Sequence, residues 1–411
     1  MQQALLIRLR PTGPWRYGPG QGGETRLDTL FRSDRLYSAA TIALRQLGLL
    51  DERLEATVRS PIPAVTFTSL FPYQAETLFV VPPSTLWPPL PSAFAISSPA
   101  FATKIRWDAA RFVPVSIVES ILTGQTILAD QWIADPESGC LLRRDRPNAS
   151  PFRAITRSFA AVDRVTRQGA HAEVYAGIEF ESGSGLWAIA KFADGGAEAT
   201  WKDRVKSAFR LLGDTGFGGR RTSGWGQTEA PEFQEGTWPA LPFSKLSRAR
   251  TFDHDAAAPV DGSQYWLLSL YLPSSADSIN WKEGQYAPVM RGGRIESSDG
   301  SGYEKKLLRM IAEGSVLATQ SEPVGAVVDV APDGFTHPVF RSGLAVALRL
   351  PEMDGLEKLG PVETPTEEGL EPRPCEESAA PDAQPATEKA TEGNEPDTSK
   401  EPPSESTESK A

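Results

Sequence analysis

Residues 213–227 read GDTGFGGRRTSGWGQ, six glycines between Gly213 and Gly226 with two adjacent arginines among them. Glycine takes positive φ at no steric cost and lets the main chain approach a bulky ligand, while successive amide N–H groups in such a loop can face an anion. Gly216, Gly218 and Gly219 supply that freedom, and Arg220, Arg221, Thr222 and Ser223 add charge and hydroxyl donors. Immediately before the loop, Trp201, Val205, Ala208, Phe209 and Leu212 recur at three- and four-residue steps. That spacing predicts a helix over 201–212 ended by Gly213, with Lys202, Arg204, Lys206 and Arg210 off its apolar face. A loop of this kind after a helix carrying Lys202 and Lys206 suits a run of phosphates; a glycine-rich turn between domains is the other reading. A Walker A loop is set aside because it stands between a strand and a helix and contains lysine, and a dinucleotide fingerprint fails on the same position.

Working outward, Leu5, Ile7 and Leu9 alternate with Leu6, Arg8 and Arg10, the period of a strand with one buried face. The stretch PTGPWRYGPGQGGETRLDT is too rich in Gly and Pro for regular structure, and Ser33 is the candidate N-cap of a helix. Leu36, Ala39, Ala40, Ala43, Leu44 and Leu47 mark its apolar stripe and Gly48 its stop. Between the many prolines of 60–100, AVTFTSLF and TLFVV read as strands. Two β-like runs around Arg167, Gln168 and Gly169 predict a basic hairpin projecting from the core. QYWLLSLYL from Gln264, KKLLRMIAEGSVLA and GLAVALRL also read as strands. Two β-rich modules, each with one or two amphipathic helices and no regular βα alternation, predict an α+β protein with a pair of ferredoxin-like domains, 1–235 and 236–352.

The net charge of −11 is uneven: residues 353–411 hold 16 acidic and 5 basic side chains, leaving 37 of each sign in the body. A neutral body can still carry a basic groove, because phosphate binding depends on local Lys and Arg. The acidic, Pro- and Ser-rich segment 353–411 is expected to be a disordered solvating tail. Cys140 and Cys375 are far apart and support neither a disulfide framework nor a metal cluster. No signal-peptide pattern and no long apolar run is present, so a cytoplasmic protein is expected.

Catalytic chemistry has little foothold. His171, His254 and His337 lack an obvious partner, and neither G-x-S-x-G nor HExxH occurs. Asp34 reads most simply as a cap or helix-dipole partner. Trp15, Tyr17, Phe217 and Trp225 flank basic segments and are candidates to stack on bases, with interdomain packing equally open for Trp225. No cofactor or metal is expected.

Three patterns together carry a resemblance. The glycine loop, the helix start Ser33-Asp34-Arg35-Leu36-Tyr37-Ser38-Ala39, and the late pair Ala312-Glu313-Gly314-Ser315-Val316 and Val339-Phe340-Arg341-Ser342-Gly343-Leu344-Ala345 look like the RAMP superfamily, in the right order across residues 1–350. More narrowly, the chain resembles the family of fourth subunits of the type III-A Csm complex. The resemblance implies a non-catalytic subunit of two ferredoxin-like (RRM-like) folds. It would grip the 5′ handle of the CRISPR guide RNA, dock the large polymerase-like signalling subunit, adjoin the RAMP backbone subunit and so serve antiviral defence. It implies RNA contacts at Gly216, Gly218, Gly219, Arg220, Arg221, Thr222 and Ser223, and a hairpin thumb over 159–175 with Arg164 and Arg167 as candidates. Lys202, Lys206, Arg32, Ser33 and Arg35 complete the candidate RNA-binding set. The family usually has His where Arg32 stands and often Thr where Arg35 stands; arginine keeps a phosphate donor there. Lys104 and Arg106 match an expected basic stretch more loosely. A guide-processing RAMP endoribonuclease, the equivalent cap of a type III-B (Cmr) complex and a protein-binding scaffold are the alternatives.

Overall fold

The computed structural model of the chain describes residues 2–18, 27–90, 93–94, 107–145, 150–162, 165, 169–246, 262–297 and 300–351. The predicted first strand, Gln3–Leu9, is the second strand of a seven-stranded sheet, between Glu232–Thr237 and Ser184–Phe192. Ser184–Phe192 pairs onward with Phe71–Gln74 and Val65–Phe67, and the sheet continues through Thr77–Val80 to Val113–Pro114. All these pairings are antiparallel. Leu6 is buried along with Leu5, Ile7 and Leu9, so the alternation predicted from the sequence is stronger than the burial: this strand has cover on both faces, and Arg8 reaches out to Glu76.

Two long helices of this unit follow the strands Gln3–Leu9 and Ser184–Phe192. Ser33–Gln46 buries Leu36, Ala40, Ala43 and Leu44, and Gly195–Thr215 buries Trp201, Val205, Ala208, Phe209 and Leu212, as the apolar spacing predicts. Burying each large side chain contributes about 1.5–3 kcal/mol. The helix boundaries correct the sequence reading twice. Ser33 is not an N-cap: its Oγ accepts from Leu270 N at 2.9 Å, and Arg32 precedes the helix without a side-chain cap. The second helix starts earlier, where Asp194 accepts from Ala197 N at 2.7 Å, and runs through Gly213 to Thr215. Gly213 lies inside the helix because a Cβ there would stand 2.8 Å from Thr228 Oγ1; glycine serves close packing here, not termination. In this sheet the last strand, Glu232–Thr237, lies beside the first, Gln3–Leu9, with Ser184–Phe192 on the other side of the first.

The C-terminal strands repeat that order. Gln264–Leu267 lies between Ala347–Arg349 and Val316–Thr319, with Ile279–Gln285 outermost. The expectation of a helix in each module fails here: among the described residues after 246 the connections are β-ribbons. Pro288–Arg291 pairs with Leu308–Ile311, Arg294–Ser297 with Gly300–Glu304, and Gly325–Asp329 with Phe340–Leu344. Short β-favouring runs broken by glycines at positive φ, such as Gly314 and Gly325, cannot sustain a helical period.

A buried polar seam ties the two sets of strands. Asp34, in the first turn of Ser33–Gln46, is 3% exposed and accepts from Arg291 Nε at 3.1 Å and Nη2 at 3.0 Å, and from Arg341 Nη1. Arg341 Nη2 also donates to Gly292 O at 2.8 Å. Beside it, Arg32 pairs with Asp28 and Glu313, Ser69 Oγ donates to Glu313, and Ser69 Oγ accepts from Ser33 N at 2.8 Å. Burial alone would raise the Asp34 carboxyl, but Arg291 and Arg341 bring it below its ordinary value. Removing one partner of a buried charge set leaves the others uncompensated, a cost of about 3–5 kcal/mol. Asp34→Asn should therefore lower unfolding free energy by about that amount in urea titrations near neutral pH. Because the folded-state pKa lies below the unfolded one, the contribution is present above the unfolded value and fades as pH falls through the folded one. The gap between wild type and Asp34→Asn should thus narrow on acidification below about pH 4; a gap that widens there excludes an ionised Asp34.

Candidate functional site

The glycine-rich loop closes on itself before it faces anything else. Gly216, at φ +71, turns the chain out of the helix. Phe217 then inserts between Trp15 and Phe31, with ring centroids 4.6 and 5.3 Å away. Phe217 N donates to Gly226 O at 3.2 Å, Gly226 N to Pro14 O at 3.0 Å and Gly219 N to Arg16 O at 2.8 Å. Ser223 N and Trp225 N donate to Arg220 O, and Gly224 N to Arg221 O. The expectation of a row of amides bared toward an anion is therefore corrected: six amides of this loop are committed to carbonyls of the protein. What the loop presents is side chains, with Arg221, Thr222 and Ser223 exposed on a short 3-10 turn, Arg221–Ser223.

Arg220 and Arg221 point to different surfaces. Arg220 sits at φ +63, ψ +29, a left-handed conformation that costs a residue with a Cβ about 1–2 kcal/mol. Its guanidinium carbon lies 3.3 Å from the centroid of the Tyr175 ring and 5.2 Å from that of Phe159, and Nη2 is 3.4 Å from Glu173 Oε2. All three belong to the predicted hairpin, which is present as Phe152–Val162 paired with Gly169–Phe180.

Arg221 instead lines a cavity of about 890 Å³ between the loop, the Ser33–Gln46 helix and the ribbons of residues 292–307 and 340–341. Six cationic side chains, Arg16, Arg35, Arg221, Arg294, Lys305 and Arg341, line it against two carboxylates, Asp34 and Glu304. Asp34 is already engaged by Arg291 and Arg341, so the wall keeps an excess of positive charge. Burial, reinforced by Arg291, pushes the Arg35 guanidinium down to about 10, and burial with Arg341 and Arg35 nearby lowers the Lys305 ammonium. Cations that depress one another gain when an anion enters among them. Tyr17, Phe31, Phe217 and Phe340 form the apolar part of the wall, and burial pushes the Tyr17 hydroxyl up.

Of the residues expected from sequence, the structure brings Gly218, Gly219, Arg221 and Arg35 together at this cavity. It does not bring the others. Arg32 and Ser33 are held in the polar seam. Lys202 and Lys206 both pair with Glu235, Lys202 at 3.0 Å. Arg220 packs on the hairpin. Arg164, Arg167, Lys104, Arg106 and His254 lie outside the described residues, as do the side chain of His171 and the segment 352–411. Trp15, Tyr17, Phe217 and Trp225 are 0–3% exposed, so none is a free stacking platform; Trp15 and Trp225 are packing residues. Sequence reasoning missed Arg16, Arg294, Lys305 and Arg341 as one wall. Arg341 stands in a quoted motif, but only the fold places it beside Asp34, 307 residues away in sequence.

Comparison with known proteins bears on this arrangement. Residues 260–350 match the family model described as the CRISPR Csm4 C-terminal domain. A curated relative from Thermococcus onnurineus (strain NA1), "CRISPR system Cms protein Csm4", is 24% identical over 360 residues, spanning 87% of this chain and 100% of the relative. A chain in the crystal structure of the Csm3-Csm4 subcomplex of the type III-A CRISPR-Cas interference complex shares the fold at a TM-score of 0.53 and 13% identity, over 84% of this chain and 99% of that one. A chain in the Csm1-Csm4 cassette with pppApA aligns at TM-score 0.49 and 18% identity, over 85% of this chain and 99% of that one. These findings make the chain similar to proteins of CRISPR effector systems. Among these the likeness is to Csm4: its C-terminal domain model matches residues 260–350, the curated relative is a Csm4 protein, and the shared fold is that of a chain from a type III-A Csm3-Csm4 subcomplex.

The loop's closure can be tested through two glycines with similar φ. Gly224 and Gly226 stand at +77 and +83, yet a Cβ at Gly224 meets open space while one at Gly226 would lie 2.2 Å from Phe217 O. Gly224→Ala should cost about 1–2 kcal/mol, the left-handed backbone alone. Gly226→Ala should cost at least twice that in the same urea titration; equal losses would show that the Phe217–Gly226 closure does not hold the loop.

Proposed function

We propose that this chain grips the 5′ handle of a CRISPR guide RNA within a type III-A effector complex, and that the cavity beneath the glycine-rich loop is where the ribose-phosphate strand is held. The observation that carries the reading is the excess of guanidinium and ammonium groups on one wall, with Arg35 and Lys305 depressed by burial and by their cationic neighbours. Phosphates relieve that repulsion, and Arg offers them forked donors. The body being neutral overall, the attraction is local and not a general affinity for polyanions.

The strand order of each half supports the ferredoxin-like reading, with 1–235 and 236–352 as the two units and 353–411 as an acidic tail; ribbons replace the helices in the second. Adjacency to the RAMP backbone subunit fits the similarity to a chain from a Csm3-Csm4 subcomplex. Docking of the large signalling subunit follows from the family resemblance. The subunit acts by binding, not by turnover: Asp34, the most buried carboxylate of the cavity wall, is held ionised between two arginines and is a poor proton acceptor. A cytoplasmic location fits this role, and no described helix is long and apolar enough to cross a membrane.

The test is a mobility-shift titration of handle-bearing guide RNA at several salt concentrations. Arg35→Ala/Arg221→Ala should weaken binding about 10- to 100-fold and lower the salt slope by about 1.4, at about 0.7 per single-strand phosphate contact. Undiminished binding removes the cavity from the RNA path, and site-specific cleavage of repeat RNA by the purified chain would replace this reading with the endoribonuclease.

A further inference from the structure

We infer that Arg220 is a positioning residue that sets the angle of the 152–180 hairpin against the cavity, and not a ligand of RNA phosphate. The inference rests on the RNA-gripping reading for its purpose, but its geometry is independent of it. Arg157 pairs with Tyr175 and Phe159 with Glu173 across the hairpin, so these four side chains share one face of the two-stranded ribbon. Gly177, two residues on, lies on that face too, and a Cβ there would stand 2.7 Å from the Trp225 ring. One hairpin face therefore lies along the glycine-rich loop.

The root and the clamp are separate attachments. At the root, Trp15 N donates to Ile178 O at 2.8 Å and Ile178 N to Trp15 O at 2.7 Å. Farther out, the Arg220 guanidinium covers Tyr175 and approaches Glu173, which also accepts from the Tyr175 hydroxyl. The Arg16 guanidinium carbon lies 5.4 Å from the same Tyr175 ring, while Arg16 O holds Gly219 N and Arg16 lines the cavity. Tyr175 thus touches both the loop arginine and a cavity arginine.

Beyond Tyr175 the ribbon runs six more residues to Gly169, about 20 Å at ~3.3 Å per residue, and among the described residues it pairs there with its own other strand. On a lever of that length, a tilt of about 10° at the clamp moves the far end by about 3–4 Å. A left-handed residue in a glycine-rich loop is the position where glycine costs least, yet an arginine stands there, and among the described residues the ring and carboxylate contacts of its side chain are to the hairpin. Charge at Arg220 is answered by Glu173 and two aromatic rings, whereas Arg221 next to it faces the cavity.

The test uses the full chain with a fluorophore at Val165→Cys, a position 92% exposed, in a Cys375→Ser background; Cys140 is buried and stays unlabelled. Arg220→Gly relieves the backbone while deleting the clamp, so folding is retained. It should lower the anisotropy of the label in the free protein and weaken handle-RNA binding about fivefold without changing the salt slope. Tyr175→Leu, which removes the other side of the contact, should do the same, and Arg220→Lys should keep the slope but restore anisotropy only in part. Arg221→Ala should lower the slope and leave the anisotropy alone. An unchanged anisotropy in Arg220→Gly overturns the inference, as does a slope reduced by about 0.7, which would make Arg220 a phosphate ligand. If Arg35→Ala and Arg221→Ala leave RNA binding intact, the RNA reading fails, while the anisotropy of the free protein still decides the clamp.

Discussion

The cavity exists as a charged surface because one carboxylate, Asp34, is already fully used. Arg291 grips it bidentately and Arg341 reaches it from a second ribbon, so two guanidinium groups converge on one negative charge. A pair of this kind is not a strong source of stability, since desolvating the ions offsets most of the attraction between them. Its effect is geometric. It pins the first turn of the Ser33–Gln46 helix to the ribbons carrying residues 291 and 341, while burial and cationic neighbours still hold Arg35 and Lys305 below their ordinary values. The positive charge that remains on the cavity wall is the remainder of that local imbalance.

The glycine-rich loop works on the same principle of prior commitment. Its amides close Phe217 against Gly226 and tie residues 219 and 226 to the segment 14–16, which makes the loop a rigid shelf and not a nest for anions. The left-handed turn at Arg220 then sends consecutive arginines in different directions, one onto the hairpin and one into the cavity. Backbone geometry thus decides function here through where side chains are sent.

Local structure was legible in the sequence where a period carried it. The strand at 3–9, the stripes of both helices, the hairpin and the C-terminal strands all follow from spacing that a short window contains. Boundaries were less legible. Ser33 has the composition of a cap, but a buried hydroxyl with a backbone amide from residue 270 within reach satisfies that amide instead. Gly213 has the composition of a helix stop, but Thr228 crowds it from outside the helix. The flanking aromatics looked like stacking residues because nothing local distinguishes a buried ring from an exposed one. The site was legible only in pieces. Helix start, AEGSV and VFRSGLA read as separate patterns, and residues of each enter one seam through distant partners: Asp34 with Arg341 at 307 positions, Glu313 with Ser69 at 244 and Ser33 with Leu270 at 237. No window on the chain contains both partners of such a pair.

That non-locality also explains how a chain of balanced charge concentrates cations. Elsewhere among the described residues, several basic side chains are met by carboxylates close at hand: Lys202 and Lys206 by Glu235, Arg153 and Arg157 by Glu179, Lys306 by Asp333. Such exposed pairs contribute little to stability, but they cancel the field where they stand. Within the roughly 10 Å that salt leaves unscreened, a cancelled pair exerts little net field, whereas the six cations and two carboxylates of the cavity keep a net positive one. Attraction of an anionic chain therefore requires no net positive charge on the protein, only a local excess of cations where the chain would lie.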